Sequence, residues 1–476
     1  MPADPISGAI ARREGYCKMV DDSGVDNDTP SPPAYQNEAL FDDDIYGELI
    51  LLGFNGQTEN RATSKRYLTK KILKRRDVAN GIKKCLSSPL SCNDTKLIKD
   101  KSRHTVSFHS DHNKSLVVEY EQDVTKDMFQ IGRASDEQID FTVIDTWMFL
   151  PENSDAAVPS RPQIELLEKG DRTSTISRFA CRILIDRENS NKAYLYAAGF
   201  DCHQNISINQ KSLKWTKANG EVDGLTTNGV LILHPNKDDL LDDTAEKPMY
   251  KWREVSINGD VYEPRVTRSS SAKGVHVPEL TNMLQDGTLI DLCGATILWR
   301  TADGLERSPK MRELEMALDR LNAGRPQCPV NLNTLVIPKK RNGRQVNRRQ
   351  PYVYLQCGHV QGKHEWGIHT SSGQRAGKCP ICLIESERIV QLSMGMEPSF
   401  HLDSGVLDHA FNPCGHMASK QTVLYWSRIP LPQGTCRYDP VCPFCYQLLA
   451  TERPFVRLIF QDNCFDDDTI RLSNEA

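Results

Sequence analysis

Long apolar runs are absent from this sequence of 476 residues. Nowhere do about eighteen consecutive apolar residues occur, which is the length that a helix needs to cross a bilayer. The first residues, Met1-Pro-Ala-Asp-Pro5, lack the basic start and the apolar stretch of a secretory signal. These absences argue against a membrane partner, and we expect a cytoplasmic protein.

A surplus of positive charge is absent as well. The chain has 59 lysines and arginines against 63 aspartates and glutamates, a formal net charge of −4 and an isoelectric point of about 6.3. No overall positive field therefore favours nucleic acid as a partner. A zinc-ribbon nucleic-acid binder stays open as an alternative because the segment from Lys339 to Arg349 is basic, although a solvated loop explains that run as well.

Cysteine, in contrast, is plentiful, with 15 residues. In a reducing compartment cysteines bind metal ions more often than they form disulfides. The C-terminal region repeats one pattern, in which a Cys-Gly-His triplet is followed by a Cys-Pro-x-Cys knuckle. The two copies are Cys357-Gly-His359 with Cys379-Pro-Ile-Cys382, and Cys414-Gly-His416 with Cys442-Pro-Phe-Cys445.

Each copy supplies three thiolates and one imidazole, a donor set that suits tetrahedral Zn²⁺. The sequence thus predicts two zinc ions per chain, with ligands Cys357, His359, Cys379, Cys382, Cys414, His416, Cys442 and Cys445. Chain order permits sequential or interleaved pairing, and the repeat favours the sequential one. Because four protein ligands leave no open position, we expect structural rather than catalytic sites. Spare donors also lie nearby, each more simply a surface or packing residue: Cys328, His364, His369, His409 and Cys436.

From Tyr46 onward, short apolar runs such as Leu49-Ile-Leu-Leu52 alternate with turn residues. This pattern predicts a β-sandwich. Two polar stretches, 61–100 and 236–274, are predicted to be excursions from the sandwich rather than core strands. Within the first, the basic run from Lys70 to Arg76 is either a nuclear import signal or, as such runs more commonly are, a solvated face.

One helix is predicted after the sandwich. Ser308 can cap it, Pro309 suits its first position, and Gly324 with Pro326 ends it. Its apolar residues recur at helical spacing: Met311, Leu314, Leu318 and Leu321. The predicted chain is mainly β and consists of a disordered acidic leader (1–44), the sandwich (45–305), this linking helix (306–325), a small α+β zinc module (326–461) and a flexible acidic tail (462–476).

Apolar residues also stand inside the predicted knuckles. Ile381 lies in the first knuckle, Pro443 and Phe444 lie in the second, and 419–429 is predicted to be a short helix that carries Trp426. These side chains are candidates for a binding groove. Core packing is the alternative for Trp426.

Several motifs carry a resemblance to a known family. The second copy, from Pro413-Cys-Gly-His416 through Tyr425-Trp426 to its knuckle, resembles half of a RING-type ubiquitin ligase domain, and the doubled arrangement resembles the atypical RING of the Pellino family. Arg325-Pro-Gln-Cys-Pro-Val330 and Arg457-Leu-Ile-Phe-Gln461 also resemble that family. The resemblance extends from about Tyr46 to Gln461.

The resemblance implies an E3 ligase that binds a ubiquitin-charged E2 and accelerates transfer by proximity, without a catalytic side chain of its own. By analogy with RING ligases, Ile381, Trp426 and Pro443 would face the E2. One departure concerns the cation that many RING domains place after the last knuckle, because Leu383 and Tyr446 stand at the corresponding positions.

Three segments of the β-rich region carry donors that suit a phosphate and a peptide backbone: Ile131-Gly-Arg133, Ser177-Arg-Phe179 and Thr226-Thr-Asn-Gly229. Their order and separation resemble the forkhead-associated (FHA) domain, a phosphothreonine-binding β-sandwich that the Pellino family carries with an inserted wing. Ala180 departs from the FHA pattern, in which a histidine is common. The resemblance assigns phosphothreonine binding to Arg133, Ser177, Arg178, Thr227 and Asn228.

The function predicted from these features is that of an E3 ubiquitin-protein ligase that selects phosphorylated signalling proteins. The resemblance implies kinases of the interleukin-1-receptor-associated type as partners, in Toll-like signalling of innate immunity, together with an E2 and ubiquitin. The alternative is a non-catalytic scaffold that binds phosphothreonine. The sequence leaves open the choice of E2, the ubiquitin linkage, the phosphosite and the oligomeric state.

Overall fold

The computed structural model describes residues 44–54, 69–91, 103–111, 114–143, 174–189, 192–235, 249–268, 270–339, 349–371, 373–433 and 437–461. The predicted leader, apart from its last residue, and the predicted tail lie outside these ranges, as does most of the basic run that begins at Lys339.

The first half of the described chain forms strands β1 to β17. Their bounds are β1 Ile45–Phe54, β2 Lys70–Lys74, β3 Gly81–Ser91, β4 His104–Asp111, β5 Lys114–Asp123, β6 Lys126–Gly132, β7 Phe141–Thr142, β8 Cys181–Asp186, β9 Ala193–Ala197, β10 Asn205–Ile208, β11 Lys214–Thr216, β12 Val222–Gly224, β13 Leu231–Leu233, β14 Arg253–Val255, β15 Val261–Tyr262, β16 Leu289–Asp291 and β17 Ala295–Thr301.

These strands build the predicted β-sandwich. An antiparallel seven-stranded sheet has the order β15-β14-β13-β16-β17-β1-β2, and it packs against two four-stranded sheets with the orders β10-β4-β5-β3 and β7-β6-β8-β9. Strands β11 and β12 form a separate hairpin. The main core lies between the layers and draws on all three sheets, with Leu49, Val106, Ile183 and Trp299 among its fully buried members.

The seven-stranded sheet is apolar on both faces. In β1, Leu49 and Leu51 point into the sandwich core, whereas Ile50 and Leu52 belong to a second buried cluster on the opposite face. Side chains alternate between faces along a strand, so a continuous apolar run such as this one requires a partner layer on each side. The sandwich supplies only one of those layers.

The prediction that the two polar stretches lie outside the sandwich is wrong for the strands that the structure describes within them. Strand β2 is the edge of the seven-stranded sheet and inserts Leu73 into the core, while β3 pairs with β5 along its whole length. Strands β14 and β15 extend the same sheet at its other edge. Strands β2 and β3 are sheet edges, and the exposed lysines of β2 form a solvated edge, whereas the side chains of β14 and β15 are mostly buried.

The second half contains helices α1 Ala302–Arg307, α2 Met311–Ala323 and α3 Lys420–Ser427. Helix α2 is the predicted linking helix, but the prediction that Ser308 caps it is wrong. Ser308 follows the end of α1, and its hydroxyl donates to the carbonyl oxygen of His401. The residue before α2 is Lys310, whose backbone N–H donates to the Glu313 carboxylate. The buried face of α2 packs into the core of the zinc module.

Twelve further strands in the described residues complete this module. They are β18 Tyr352–Tyr354, β19 Val360–Gln361, β20 Ile368–Ser371, β21 Gln374–Lys378, β22 Glu385–Ser386, β23 Ile389–Gln391, β24 Ser393–Met394, β25 His409–Phe411, β26 His416–Ala418, β27 Leu431–Gln433, β28 Arg437–Asp439 and β29 Phe455–Arg457, with a 3-10 turn at Pro398–Phe400. They form small sheets of two to four strands around α2 and α3.

The zinc module supplies the second layer that the seven-stranded sheet requires. Its helix α3 and the segments around it pack on the outer face of that sheet in one apolar cluster, which we call the shared core: Ile50, Leu52, Leu231, Leu233, Trp252, Leu289, Leu298, Phe400, Phe411, Cys414, Ala418, Val423, Tyr425, Trp426, Ile429, Leu431, Val441, Cys442 and Leu449. The described residues between Asp44 and Gln461 belong to a single compact unit. The sandwich and the zinc module therefore fold against each other.

Candidate functional site

The first candidate site is built from loops at one edge of the sandwich. The backbone N–H of Arg133 donates to the carbonyl oxygen of Ser177 at 3.1 Å, and the Arg133 Nε donates to that of Ile176 at 2.9 Å. Gly132 makes this approach possible, since a Cβ there would lie only 2.0 Å from the Arg178 carbonyl oxygen. The first two predicted phosphate-binding segments are thus hydrogen-bonded neighbours.

The third segment joins them through Asn228, whose Nδ2 donates to the carbonyl oxygen of Thr175 at 2.6 Å. Gly229 completes the loop with a φ of +70°, in the left-handed region that glycine adopts at low cost. The structure therefore brings Arg133, Ser177, Arg178, Thr227 and Asn228 to one edge of the sandwich.

Two arginines that the sequence analysis did not identify support this loop through hydrogen bonds to its backbone. Arg265 Nη2 donates to the Thr226 carbonyl oxygen at 2.9 Å, and Arg268 Nη1 donates to that of Asn228 at 3.1 Å. Arg265 is itself held by the buried carboxylate of Glu254 at 2.7 Å. The only sequence signal for them was the arginine content of the second polar stretch, because their partners lie far away along the chain.

The exposed side chains of this edge are the ones that can meet a ligand. Arg178 and Thr227 are exposed, whereas Arg133, Ser177 and Asn228 are half-buried. The Arg178 guanidinium lies 3.3 Å from the carboxylate of Asp136, and this exposed ion pair is weak enough for a phosphate to replace. Guanidinium, hydroxyl and amide groups on one surface form a donor set for a phosphate and its peptide.

The second candidate site is a pair of metal centres in the zinc module. Cys357, His359, Cys379 and Cys382 form one group and Cys414, His416, Cys442 and Cys445 form another, and within each group the ligand atoms all lie within 4.8 Å of one another. Each group takes all its donors from one copy of the repeat. Among the described residues the arrangement is thus the sequential one.

The local backbone is repeated between the two copies. In each Cys-Gly-His triplet the glycine has a positive φ, +84° at Gly358 and +75° at Gly415, and its N–H donates back to a carbonyl oxygen before the cysteine. At Gly358 a Cβ would lie 2.1 Å from the Arg457 carbonyl oxygen. The glycine lets the chain reverse, so that cysteine and histidine point to the same ion.

The two knuckles also share their geometry. The N–H of Leu383 donates to the Cys379 carbonyl oxygen at 2.8 Å, and the N–H of Tyr446 donates to that of Cys442 at 2.7 Å. Both Leu383 and Tyr446 have a φ of about +60°, at +62° and +63°. These are the positions where many RING domains place a cation. Here the backbone N–H of each residue closes the turn that brings the two cysteine sulfurs of its knuckle together.

The electrostatics of the thiols fit a bound cation. Burial raises the pKa of Cys357 to about 12 and also raises the pKa of Cys442, whereas hydrogen bonds with Cys414 and Cys442 lower the pKa of Cys445. Three thiolates at such close range repel one another in a desolvated site. A divalent ion removes that repulsion, so the donor chemistry of both groups suits zinc. At the first group, Gln361 Nε2 also donates to the sulfur of Cys379 at 3.4 Å.

The described spare donors have other partners. His364 Nε2 lies 2.9 Å from Gln361 Oε1, His369 lies near Glu385, and His409 Nδ1 lies 2.7 Å from an oxygen of Asp408. Cys328 is buried in the core around α2. Cys436 lies outside the described residues.

The three residues predicted to face an E2 have different surroundings. Ile381 is 45% exposed at the tip of the first knuckle. Trp426 is 1% exposed within the shared core and donates its indole N–H to the Phe400 carbonyl oxygen at 2.9 Å, and Pro443 is buried as well. The partner-facing prediction for Trp426 is therefore at odds with this structure, because the sandwich covers the face of the module that carries it. Pro443 is buried, and its partner-facing role stays a prediction. The packing alternative for Trp426 is the one observed.

No helix in the described part of the chain has the length and apolar character for a membrane crossing.

Two family models match consecutive parts of the chain. The model described as "Pellino, FHA domain" matches residues 35–317, and the model described as "Pellino, RING domain" matches residues 321–466. The first match includes the loops predicted to bind phosphate, and the second includes both metal groups.

Similar proteins extend over most of the chain. The Drosophila melanogaster protein named "Protein pellino" is 48% identical over 424 residues, which is 88% of this chain and 93% of that protein. The human "E3 ubiquitin-protein ligase pellino homolog 2" is 43% identical over 87% of this chain and 95% of its own length. The mouse "E3 ubiquitin-protein ligase pellino homolog 3" is 44% identical over 87% of this chain and 89% of its own length.

Proposed function

The chain belongs to the Pellino family, and we propose that it is an E3 ubiquitin-protein ligase that binds phosphothreonine-bearing proteins through its sandwich and recruits a ubiquitin-charged E2 through its zinc module. The observation that carries this proposal is the presence of a phosphate-type donor edge and two four-donor metal groups in one chain. The ligase names of the human and mouse relatives support it.

Zinc is the proposed ion in both metal groups. It would be held by the three cysteines and one histidine of each group, and it would supply structural rigidity without an open coordination position. The chemistry of ubiquitin transfer then belongs to the E2. The ligase contributes by holding the charged E2 close to a lysine of the bound substrate, which lowers the entropic cost of the encounter.

The proposed E2 surface is centred on Ile381. Leu383 and Ile384, in the same knuckle, are 55% and 46% exposed, and Trp366, in the neighbouring turn, is 50% exposed. The turn and the knuckle are linked because the Lys378 N–H donates to the carbonyl oxygen of Gly367. Exposed apolar side chains clustered on a rigid support are typical of a protein-binding surface.

The sandwich edge selects the substrate in this proposal. A phosphothreonine would be bound by Arg133, Ser177 and Arg178, while Thr227 and Asn228 would bind the peptide next to it. Kinases of the interleukin-1-receptor-associated type are the partners we propose, in Toll-like innate immune signalling within the cytoplasm. A phosphorylated, activated kinase is the kind of target that such an edge can distinguish from its unmodified form.

A reconstituted reaction tests the proposal against the scaffold alternative. The full chain is incubated with E1, ubiquitin, ATP and a panel of E2 enzymes, and chain formation is compared with that of each E2 alone. A ligase gives product above this background with some E2, and the product is lost on Ile381→Ala while zinc content stays at two ions. If no E2 in a broad panel responds but phosphothreonine peptides still bind, the chain is a scaffold.

A further inference from the structure

The two metal groups have similar geometry but different surroundings. Cys414 and Cys442 of the second group are members of the shared core, and Cys445 packs against it. Cys379 of the first group belongs to a small separate cluster with Tyr354 and Ile389. The second group is therefore part of the surface between sandwich and module, and the first is not.

The second knuckle touches the sandwich directly. A Cβ at Gly53 in β1 would lie 3.0 Å from the ring of Tyr446, the residue after Cys445. Phe444, inside the knuckle, packs edge-on against Phe400, with ring centres 5.8 Å apart. Beside Phe400, the carbonyl oxygen of Ser399 accepts a 2.5 Å hydrogen bond from Arg300 of the sandwich.

Helix α3 and the chain after it continue this contact. Tyr425 donates its hydroxyl hydrogen to the Gly287 carbonyl oxygen at 2.6 Å, and the indole of Trp252 donates to the Pro430 carbonyl oxygen, also at 2.6 Å. The backbone N–H of Tyr250 donates to the carbonyl oxygen of Arg428 at 3.1 Å. A buried apolar layer crossed by hydrogen bonds resembles a permanent interface rather than a transient one.

The first knuckle has the opposite character. Ile381, Leu383 and Ile384 present their side chains to solvent, at about half exposure each. The strands next to it, β20 to β22, form a small sheet of their own.

We propose that the two metal sites have different roles: the second site locks the zinc module onto the sandwich, and the first site presents the surface on which the E2 docks. The docking half of this inference rests on the proposed ligase function, whereas the locking half does not. One consequence is that the phosphothreonine-binding edge and the E2 surface belong to a single rigid body.

Hydrogen exchange of the full chain, compared between two matched ligand variants, tests the locking role. Cys445→Ser and Cys382→Ser each remove the last cysteine of one knuckle, and each should lose one zinc ion. Only Cys445→Ser should accelerate amide exchange in the central sandwich strands β13 and β16, by about tenfold or more, because only it loosens the layer that covers them. Equal acceleration in both variants, or none in either, would overturn the proposal.

A milder variant covers the case in which Cys445→Ser does not fold. Tyr425→Phe removes the hydrogen bond to Gly287 without changing a metal ligand, so both zinc ions should remain while amide exchange near Leu289 rises.

Ile381→Ser tests the docking role. It should leave amide exchange and zinc content unchanged and abolish E2-dependent chain formation. Normal exchange near Leu289 in Tyr425→Phe would contradict the locking half of the proposal. Full activity of Ile381→Ser would contradict the docking half. If the wild-type chain forms no ubiquitin chains, the ligase proposal fails, but the exchange results still decide the locking role.

Discussion

The hydroxyl of Tyr425 in helix α3 donates a hydrogen bond of 2.6 Å to the carbonyl oxygen of Gly287 in the sandwich, and both groups are buried. Burial raises the pKa of Tyr425, so the phenol keeps its proton and remains a donor at neutral pH. Gly287 has a φ of +90°, and a Cβ there would lie 2.8 Å from the tyrosine oxygen. Helix and sheet approach each other here as closely as a glycine permits.

Gly287→Ala should therefore destabilise the full chain by about 2–4 kcal/mol, as the sum of left-handed backbone strain, a steric clash and a weakened hydrogen bond. Chemical denaturation measures this loss. Gly220→Ala is the matched control, because Gly220 also has a positive φ, of +83°, but has no atom within 4 Å of its Cβ position. Gly220→Ala should lower the free energy of unfolding by the backbone strain alone, about 1–2 kcal/mol.

A loss for Gly287→Ala no larger than that for Gly220→Ala would mean that the close approach at the shared core contributes nothing to stability.

The sequence contained the evidence for the shared core, but not the identity of its second layer. The run Leu49-Ile-Leu-Leu52 is apolar at every position, which indicates a strand buried on both faces. The sequence could not show that the partner layer begins near Phe400, about 350 positions later, since pairing at that distance depends on the whole fold. For the same reason it could not decide between a surface and a core role for Trp426.

The metal groups were far easier to predict because their ligands are set by local turns. A knuckle such as Cys379-Pro-Ile-Cys382 fixes two sulfurs within four residues, and the glycine of each triplet allows the reversal that adds the histidine. The predicted phosphate-binding edge was easier to predict than the shared core but harder than the metal groups. Its loops could be recognised as a set, but Arg265 depends on Glu254, a partner that no spacing rule identifies.

Phosphothreonine recognition predicts a loss of affinity on Arg178→Ala. Each charge-assisted hydrogen bond to a phosphate contributes about 1.5–3 kcal/mol, so removing this exposed guanidinium should weaken a phosphothreonine peptide about ten- to a hundredfold. Calorimetric titration against phosphorylated and unmodified peptides measures the change. Binding should also weaken as salt is raised, because the contact is partly exposed.

Arg312→Ala is the control for that titration, since Arg312 is an exposed arginine on helix α2. It should bind the phosphopeptide as the wild type does. Equal affinity for phosphorylated and unmodified peptides would show that the three loops are ordinary turns.

The first knuckle predicts a selective loss of ligase activity. Leu383 has an exposed side chain but adopts a left-handed backbone, so we expect Leu383→Asn to preserve the turn while removing an apolar contact. Chain formation with the responsive E2 should fall about tenfold, with two zinc ions retained. Leu332→Asn makes the same change at another residue with a positive φ and high exposure, and it should be fully active.

Activity lost equally in both leucine variants would place the effect in general folding rather than in E2 docking.

The last prediction concerns pH and the shared core. His401 is fully buried beside Arg300, and its Nε2 lies 2.8 Å from the Gly395 carbonyl oxygen. Burial, with a smaller contribution from the Arg300 charge, lowers the pKa of His401 to about 4 against the opposing effect of that hydrogen bond. The unfolded chain takes up a proton on this ring below about pH 6.5, whereas the folded chain does so only near pH 4.

The stability contributed by the neutral His401 ring is therefore complete above pH 6.5 and decreases as the pH falls from 6.5 towards 4, by at most about 3 kcal/mol. The half-buried histidines His104 and His234 also have lowered pKa values, so the wild-type slope contains several contributions. His401→Gln isolates this one, because glutamine retains a donor for Gly395 and does not titrate. Denaturation curves between pH 7 and pH 5 should show a shallower loss of stability for His401→Gln than for the wild type, with the metal sites identical in both proteins. Parallel curves would mean that His401 takes up its proton equally in the folded and the unfolded chain, and its burial beside the shared core would then not control the pH response.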